Sequence, residues 1–143
     1  MNSFIKLSAI VAASIVLFSF KSTTPPLGFK PDLKVQSIIP TRVGDNLVIT
    51  ITIKNVGNAH ATTIFDNYIE LNNANEPSPN PKRVQTRLMA GLKAQQSKTI
   101  EVIYPADSVH PGDIAVTVIT DSKASRVPES NENNNKRKVN LPQ

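Results

Sequence analysis

The stretch Asp121 to Asn135 (DSKASRVPESNENNN) is the part of the sequence richest in hard oxygen donors. Calcium takes six to eight such ligands, and Asp121, Glu129, Glu132 and an Asn carbonyl are the residue types that supply them. The spacing matches no EF-hand loop, however, and Lys123 and Arg126 in the same stretch would repel a cation or pair with the acids. The competing reading is structural. Val127 would plug the end of a core, Asn side chains would cap turn amides, and Glu129 and Glu132 would accept hydrogen bonds from loop N–H groups. That reading fits the residue types better. No metal and no cofactor are expected, with calcium at Asp121, Glu129 and Glu132 as the open alternative.

Catalytic chemistry has little to work with. The chain has no Cys, which removes thiolate nucleophiles and Cys-ligated metals. Its two histidines, His60 and His110, lie far apart in sequence beside turn signals, where a solvated loop residue is the ordinary outcome. There is no Gly-rich phosphate loop and no G-x-S-x-G elbow. Outside the closing stretch the carboxylates are scattered and single out no pair for general acid and base work. No catalytic residue and no enzyme activity are expected.

Binding chemistry is better provided for. Asn72 to Lys82 (NNANEPSPNPK) is a long Asn/Pro segment in which proline lowers the ordering cost of a recognition loop. Its candidate binding residues are Asn72, Asn73, Asn75, Glu76, Asn80 and Lys82. Lys136-Arg137-Lys138 forms a basic end. On an extended strand Lys136 and Lys138 share one face, which reads first as edge protection and second as a polyanion patch. Aromatic platforms for sugars are scarce, which disfavours a strong lectin-type site: Trp is absent, Phe4, Phe18 and Phe20 lie near the N-terminus, and only Tyr68 and Phe29 are expected as exposed rings.

The elements that must position these segments are strands. Leu47 to Lys54 (LVITITIK) alternates with period two, placing Leu47, Ile49, Ile51 and Ile53 on one face and Val48, Thr50, Thr52 and Lys54 on the other. Thr99 to Tyr104 repeats the pattern with Ile100, Val102 and Tyr104 inward, and Ile114 to Thr120 with Ile114, Val116 and Val118 inward. Weaker runs are Leu33 to Ile39, Thr63 to Leu71, Val84 to Met89 and Lys136 to Leu141. Turn chemistry separates them at Gly44-Asp45, at Asn55 to Asn58 and at Pro111-Gly112-Asp113. Seven short strands with no helical segment between them predict an all-β chain folded as a seven-stranded immunoglobulin-like antiparallel β-sandwich.

Several of these residues carry a family resemblance. Asp32-Leu33-Lys34-Val35, then Ile51 to Ala59 (ITIKNVGNA), Asp121, and Val127 to Asn134 (VPESNENN) resemble the CARDB family, the cell-adhesion-related domains found in bacteria. The resemblance spans roughly Pro31 to Leu141. It implies an immunoglobulin-like sandwich in exported or cell-surface proteins, used as an accessory module with a cell adhesion role. One departure is local: where the turn before the TIEVIY strand usually holds Gly, this chain has Gln95.

The N-terminus sets the compartment. Lys6 followed by the uncharged run Leu7 to Phe20 reads as a secretory signal peptide over residues 1–22, too short to span a bilayer. Cleavage is expected between Phe20 and Pro25, and retention as a membrane tether is the alternative. Residues 23–31 read as a Pro-rich linker and 32–143 as the folded domain. The formal net charge is +5, and with Lys6 and Lys21 set aside the domain carries about +3, short of a nucleic-acid footprint. The expectation is an exported, non-catalytic interaction module, extracellular, on the cell surface or periplasmic, with a protein or cell-surface partner. No nucleic acid and no membrane insertion by the mature domain are expected. The alternative is an assembly subunit of an envelope or secretion complex that pairs through an edge strand.

Overall fold

A computed structural model describes residues 28–123 and 126–142. The expected signal segment and most of the Pro-rich linker lie outside the described residues. Seven strands form: β1 (Leu33–Val43), β2 (Asn46–Asn55), β3 (Phe65–Asn73), β4 (Val84–Met89), β5 (Ser97–Tyr104), β6 (Asp113–Thr120) and β7 (Lys136–Asn140). They make two antiparallel sheets, ordered β1-β2-β5 and β4-β3-β6-β7. Among the described residues the fold is therefore all-β, with the two sheets packed as a sandwich.

The alternating strand positions face each other across the sandwich, because burying one face of each sheet is what closes a core. Leu47, Ile49, Ile51 and Ile53 of β2 are all fully buried, against Phe65, Ile69 and Leu71 of β3 and Val116 and Val118 of β6. On β5, Val102 and Tyr104 are buried and Ile100 packs half-buried against the same cluster. Tyr104 also ties the sheets together, donating its hydroxyl to the Ile69 carbonyl oxygen at 3.1 Å. Val127 plugs the end of the core, as the sequence predicts.

Ile114 departs from its expected inward position and is 43% exposed. Asn72 pairs with Ala115 and Asn73 with Asp113, so Ile114 is the extra residue of a β-bulge. A bulge re-aims the side chain it carries, and the inward set of β6 begins at Val116.

Asn55 and Gly57 hold the turn after β2. The buried Asn55 amide accepts from the N–H groups of Asp32 (3.0 Å) and Gly57 (3.1 Å) and donates to the carbonyls of Ala59 (2.8 Å) and Leu92 (3.1 Å). A Cβ on Gly57 would lie 2.4 Å from the Lys30 carbonyl oxygen, so the lead-in to β1 can pass only over a glycine. Lys30 and Pro31 are already bonded to the domain: Lys30 N–H donates to Asn58 Oδ1 at 3.1 Å, and the Pro31 carbonyl accepts from Ser130 N–H at 2.9 Å.

Candidate binding groove

β3 is buried on both faces, unlike an ordinary half-wetted strand. Phe65, Asn67, Ile69 and Leu71 point to the core side, and Asp66, Tyr68, Glu70 and Asn72 point outward. Asp66 accepts from Ser122 Oγ at 2.6 Å, and what covers Glu70 and Asn72 is the segment after β3. It turns back at Asn73, whose Oδ1 accepts from Asn75 N–H at 2.9 Å, and whose amide donates to Asp113 Oδ1 (2.9 Å) and the Pro111 carbonyl (3.1 Å). The returning chain is pinned on Glu70, whose carboxylate accepts from Asn80 N–H at 2.8 Å and Ser78 Oγ at 3.2 Å. Asn72 donates to Ser78 Oγ at 3.3 Å and accepts from Thr117 Oγ1 at 2.6 Å. The peptide bond between Ser78 and Pro79 is cis.

The candidate loop residues thus sit mostly within the loop's own bonding. Asn72, Asn73 and Asn80 form its hinges, with Asn80 Nδ2 donating to Glu76 Oε2 at 2.8 Å. Asn75 is exposed, and Lys82 lies in a short 3-10 turn, Pro81–Arg83, its side chain outside the described residues. Sequence reasoning missed Tyr68, Glu70 and Thr117 as partners of this loop, since an acid inside a strand run carries no sign of what will fold over it.

Strand register aligns a second set of groups with the loop. Tyr68 pairs with Ile119 and Ile119 with Lys136; Glu70 pairs with Thr117 and Thr117 with Lys138. Two rows therefore cross the outer face, each running from β3 through β6 to a lysine on β7. At about 4.8 Å between strands, each lysine backbone is about 10 Å from its β3 counterpart. Between the loop and the lysines lies a concavity of about 490 Å³, with Tyr68 and Ile119 on its floor, Pro79 on one wall, and Lys123, Lys136 and Lys138 on the other. A second concavity of about 520 Å³ continues past Tyr68, bounded by Pro79, Pro81, Val84 and Thr86. Burial raises the Tyr68 phenol above its ordinary pKa, and the neighbouring Glu70 carboxylate raises it further. Of the two rings expected to be exposed, Tyr68 is half-buried because it lies within β3, and Phe29 is about half-exposed but does not line the groove.

The closing corner is built separately. Asp121 takes a positive φ of 48° and accepts from Arg126 N–H (3.1 Å) and Val127 N–H (2.9 Å). Glu129 accepts from Leu33 N–H and from Asn135 Nδ2 (3.1 Å), and Glu132 from Glu129 N–H (3.3 Å) and Asn135 Nδ2 (3.4 Å). Burial pushes Glu129 up to about 7 and also raises Asp121. Among the described residues, no three acidic, His or Cys side chains stand together in a metal-holding arrangement.

His60 is exposed, away from these groups. His110 does join a cluster: its Nδ1 lies 2.5 Å from Arg83 Nη1 and 3.8 Å from Glu76, while buried Arg83 forms an ion pair with buried Asp113. Asp113 is held below its ordinary value by its hydrogen bonds and by Arg83, against the opposing effect of burial. The sequence marked Asp113 only as a turn residue and gave no signal for Arg83.

The CARDB family model matches residues 30–139. A crystal structure described as a CARDB domain from Pyrococcus furiosus in complex with di-metal ions superposes with a TM-score of 0.57 at 17% identity, covering 79% of this chain and 93% of that one. The solution structure of the same domain gives 0.54 at 18% identity, over 78% and 94%. The β-glucosidase 3B of Thermotoga neapolitana gives 0.45 at 11% identity, over 79% of this chain and 16% of the enzyme. No curated protein matches the chain. Among the described residues no helix is long and apolar enough to cross a membrane.

Proposed function

The chain belongs to the CARDB family, and on that footing we propose that it is an exported interaction module whose ligand face is the groove over β3 and β6. CARDB domains are small non-catalytic β-sandwich modules. The observation that carries the groove reading is convergence: the loop over residues 72–82 and the basic end at 136–138 meet across Tyr68 in one concavity. Concavities of this size with a few placed polar groups are where ligands bind. The assembly reading through edge pairing has less support at the β1 edge, where Pro40 removes a donor and Arg137 Nη1 already occupies the Gln36 carbonyl.

The test is capture from envelope fractions by the wild-type chain and by a Lys136→Glu/Lys138→Glu variant. The wild type retains a stoichiometric partner or binds intact cells, and the variant loses it. Equal capture by both would overturn the groove as the ligand face.

We further read the closing corner as structural, although the Pyrococcus furiosus relative is described with two metal ions. Its carboxylate oxygens are engaged by N–H donors. Melting temperatures in millimolar calcium and in chelator should agree within a degree. A specific site at 100 times its Kd would add about 2.7 kcal/mol, a shift of several degrees.

A further inference from the structure

We propose that the groove takes an acidic polysaccharide, a chain of pyranose rings bearing carboxylates. This deepens the reading of the groove as the ligand face and rests on it. The floor belongs to β3 and β6, the two interior strands of their sheet, whose main-chain groups are paired on both sides. A peptide could therefore find no ladder to extend there, and strand addition is confined to sheet edges. On this floor, recognition therefore rests on side chains.

Those side chains fall into two kinds. Tyr68 and Pro79 border both concavities, and their flat apolar faces suit the C–H faces of sugar rings. Two concavities flanking one ring make room for successive sugars rather than a single one. On the β7 side stand Lys136 and Lys138, two residues apart on an extended strand and so about 7 Å apart along the groove wall. Lys123 adds a third ammonium at the end of the same concavity. The one acid on the floor, Glu70, is committed to Ser78 Oγ and Asn80 N–H. Three ammonium groups against that one carboxylate leave a net positive charge beside a ring platform, which matches an anionic sugar chain better than a neutral one.

The experiment is calorimetric titration of the full chain at low salt with hexagalacturonate, its methyl ester and hexaglutamate. Hexagalacturonate should bind, with the ester at least about tenfold weaker, since esterification removes the charge and keeps the rings. Lys136→Gln/Lys138→Gln should weaken binding by about tenfold or more. Tyr68→Ala should weaken it while Tyr68→Phe keeps it, and an unchanged urea midpoint for the Ala variant separates lost stacking from lost folding. Absence of hexagalacturonate binding, equal binding of the ester, or indifference to the lysine variant would each overturn the proposal. Equal binding of hexaglutamate, abolished by the lysine variant, would overturn the glycan assignment while leaving the groove as the ligand face. Unchanged envelope capture by the Lys136→Glu/Lys138→Glu variant would instead overturn the groove itself.

Discussion

Gln95 sits at a φ of 63°, a left-handed conformation that glycine adopts freely and a Cβ makes costly. The family resemblance puts a glycine at this position, so the backbone geometry has been kept without the residue that suits it. The side chain supplies a compensation, because Nε2 donates to the carbonyls of Val56 (2.8 Å) and Gly57 (3.0 Å) in the turn after β2. Gln95→Ala and Gln95→Gly both lose those bonds, but only Ala keeps the backbone strain. Urea unfolding should therefore find the Gly variant more stable than the Ala variant by about 1 kcal/mol. The reverse order would mean that the turn relaxes once the side chain is gone. A pattern reading could mark Gln95 as out of place; it could not find the compensation, which joins two turns 39 and 38 residues apart in sequence.

At the scale of elements, β2 was the most legible because one face is apolar and the other is partly wet along its whole length. Ile51→Ala should cost about 2–5 kcal/mol through lost burial and the cavity left behind. Thr52→Ala, whose hydroxyl meets only Thr99 Oγ1 at 3.1 Å on the outer face, should stay near 0.5 kcal/mol. Midpoints and slopes from urea titrations separate the two, and a more damaging Thr substitution would reverse the register of the strand. β3 was less legible for a physical reason. Asp66, Asn67, Glu70 and Asn72 are all buried within it, so the period-two contrast between faces is lost from the sequence. Glu70 is shielded by the loop and Asp66 is held by Ser122, and no local pattern encodes either. β6 misled at one residue only, Ile114, since a bulge depends on what the partner strand does opposite it. The rows that line the groove depend in turn on the order β4-β3-β6-β7, a property of topology that composition does not record.

For the molecule as a whole, the closing corner fastens the start of β1 to the connection between the last two strands. Ser130 N–H donates to the Pro31 carbonyl at 2.9 Å, Asn134 Nδ2 to Asp32 Oδ1 at 2.7 Å, and Leu33 N–H to Glu129. These bonds join residues about 100 positions apart in sequence, so the corner closes the longest loop of the fold. Glu129 is the buried ionisable group among them, and burial raises its pKa from 4.5 to about 7 even though Leu33 N–H and Asn135 favour the charged form. A raised folded-state pKa means that the protonated carboxyl is the better-tolerated form. Its contribution to stability is complete below about pH 4.5 and is lost as pH rises through about 7. The full shift corresponds to about 3 kcal/mol. Asp121 is shifted in the same direction, whereas Asp113, lowered by its hydrogen bonds and Arg83, acts only in the acid range below its ordinary value. Between pH 5 and 8 the stability of the wild type should therefore fall as pH rises. Glu129→Gln should flatten that slope, because the amide keeps an oxygen for Leu33 N–H and carries no charge to desolvate. Its NH₂ would face Asn135, whose Oδ1 is shielded from water without a partner and can accept once the Asn135 amide turns, at the cost of its 3.4 Å bond to Glu132. Urea midpoints at pH 5, 6, 7 and 8 for both proteins read the effect directly. A wild type with no decline, or a Gln variant that declines in parallel with it, would remove Glu129 as the source of the pH dependence.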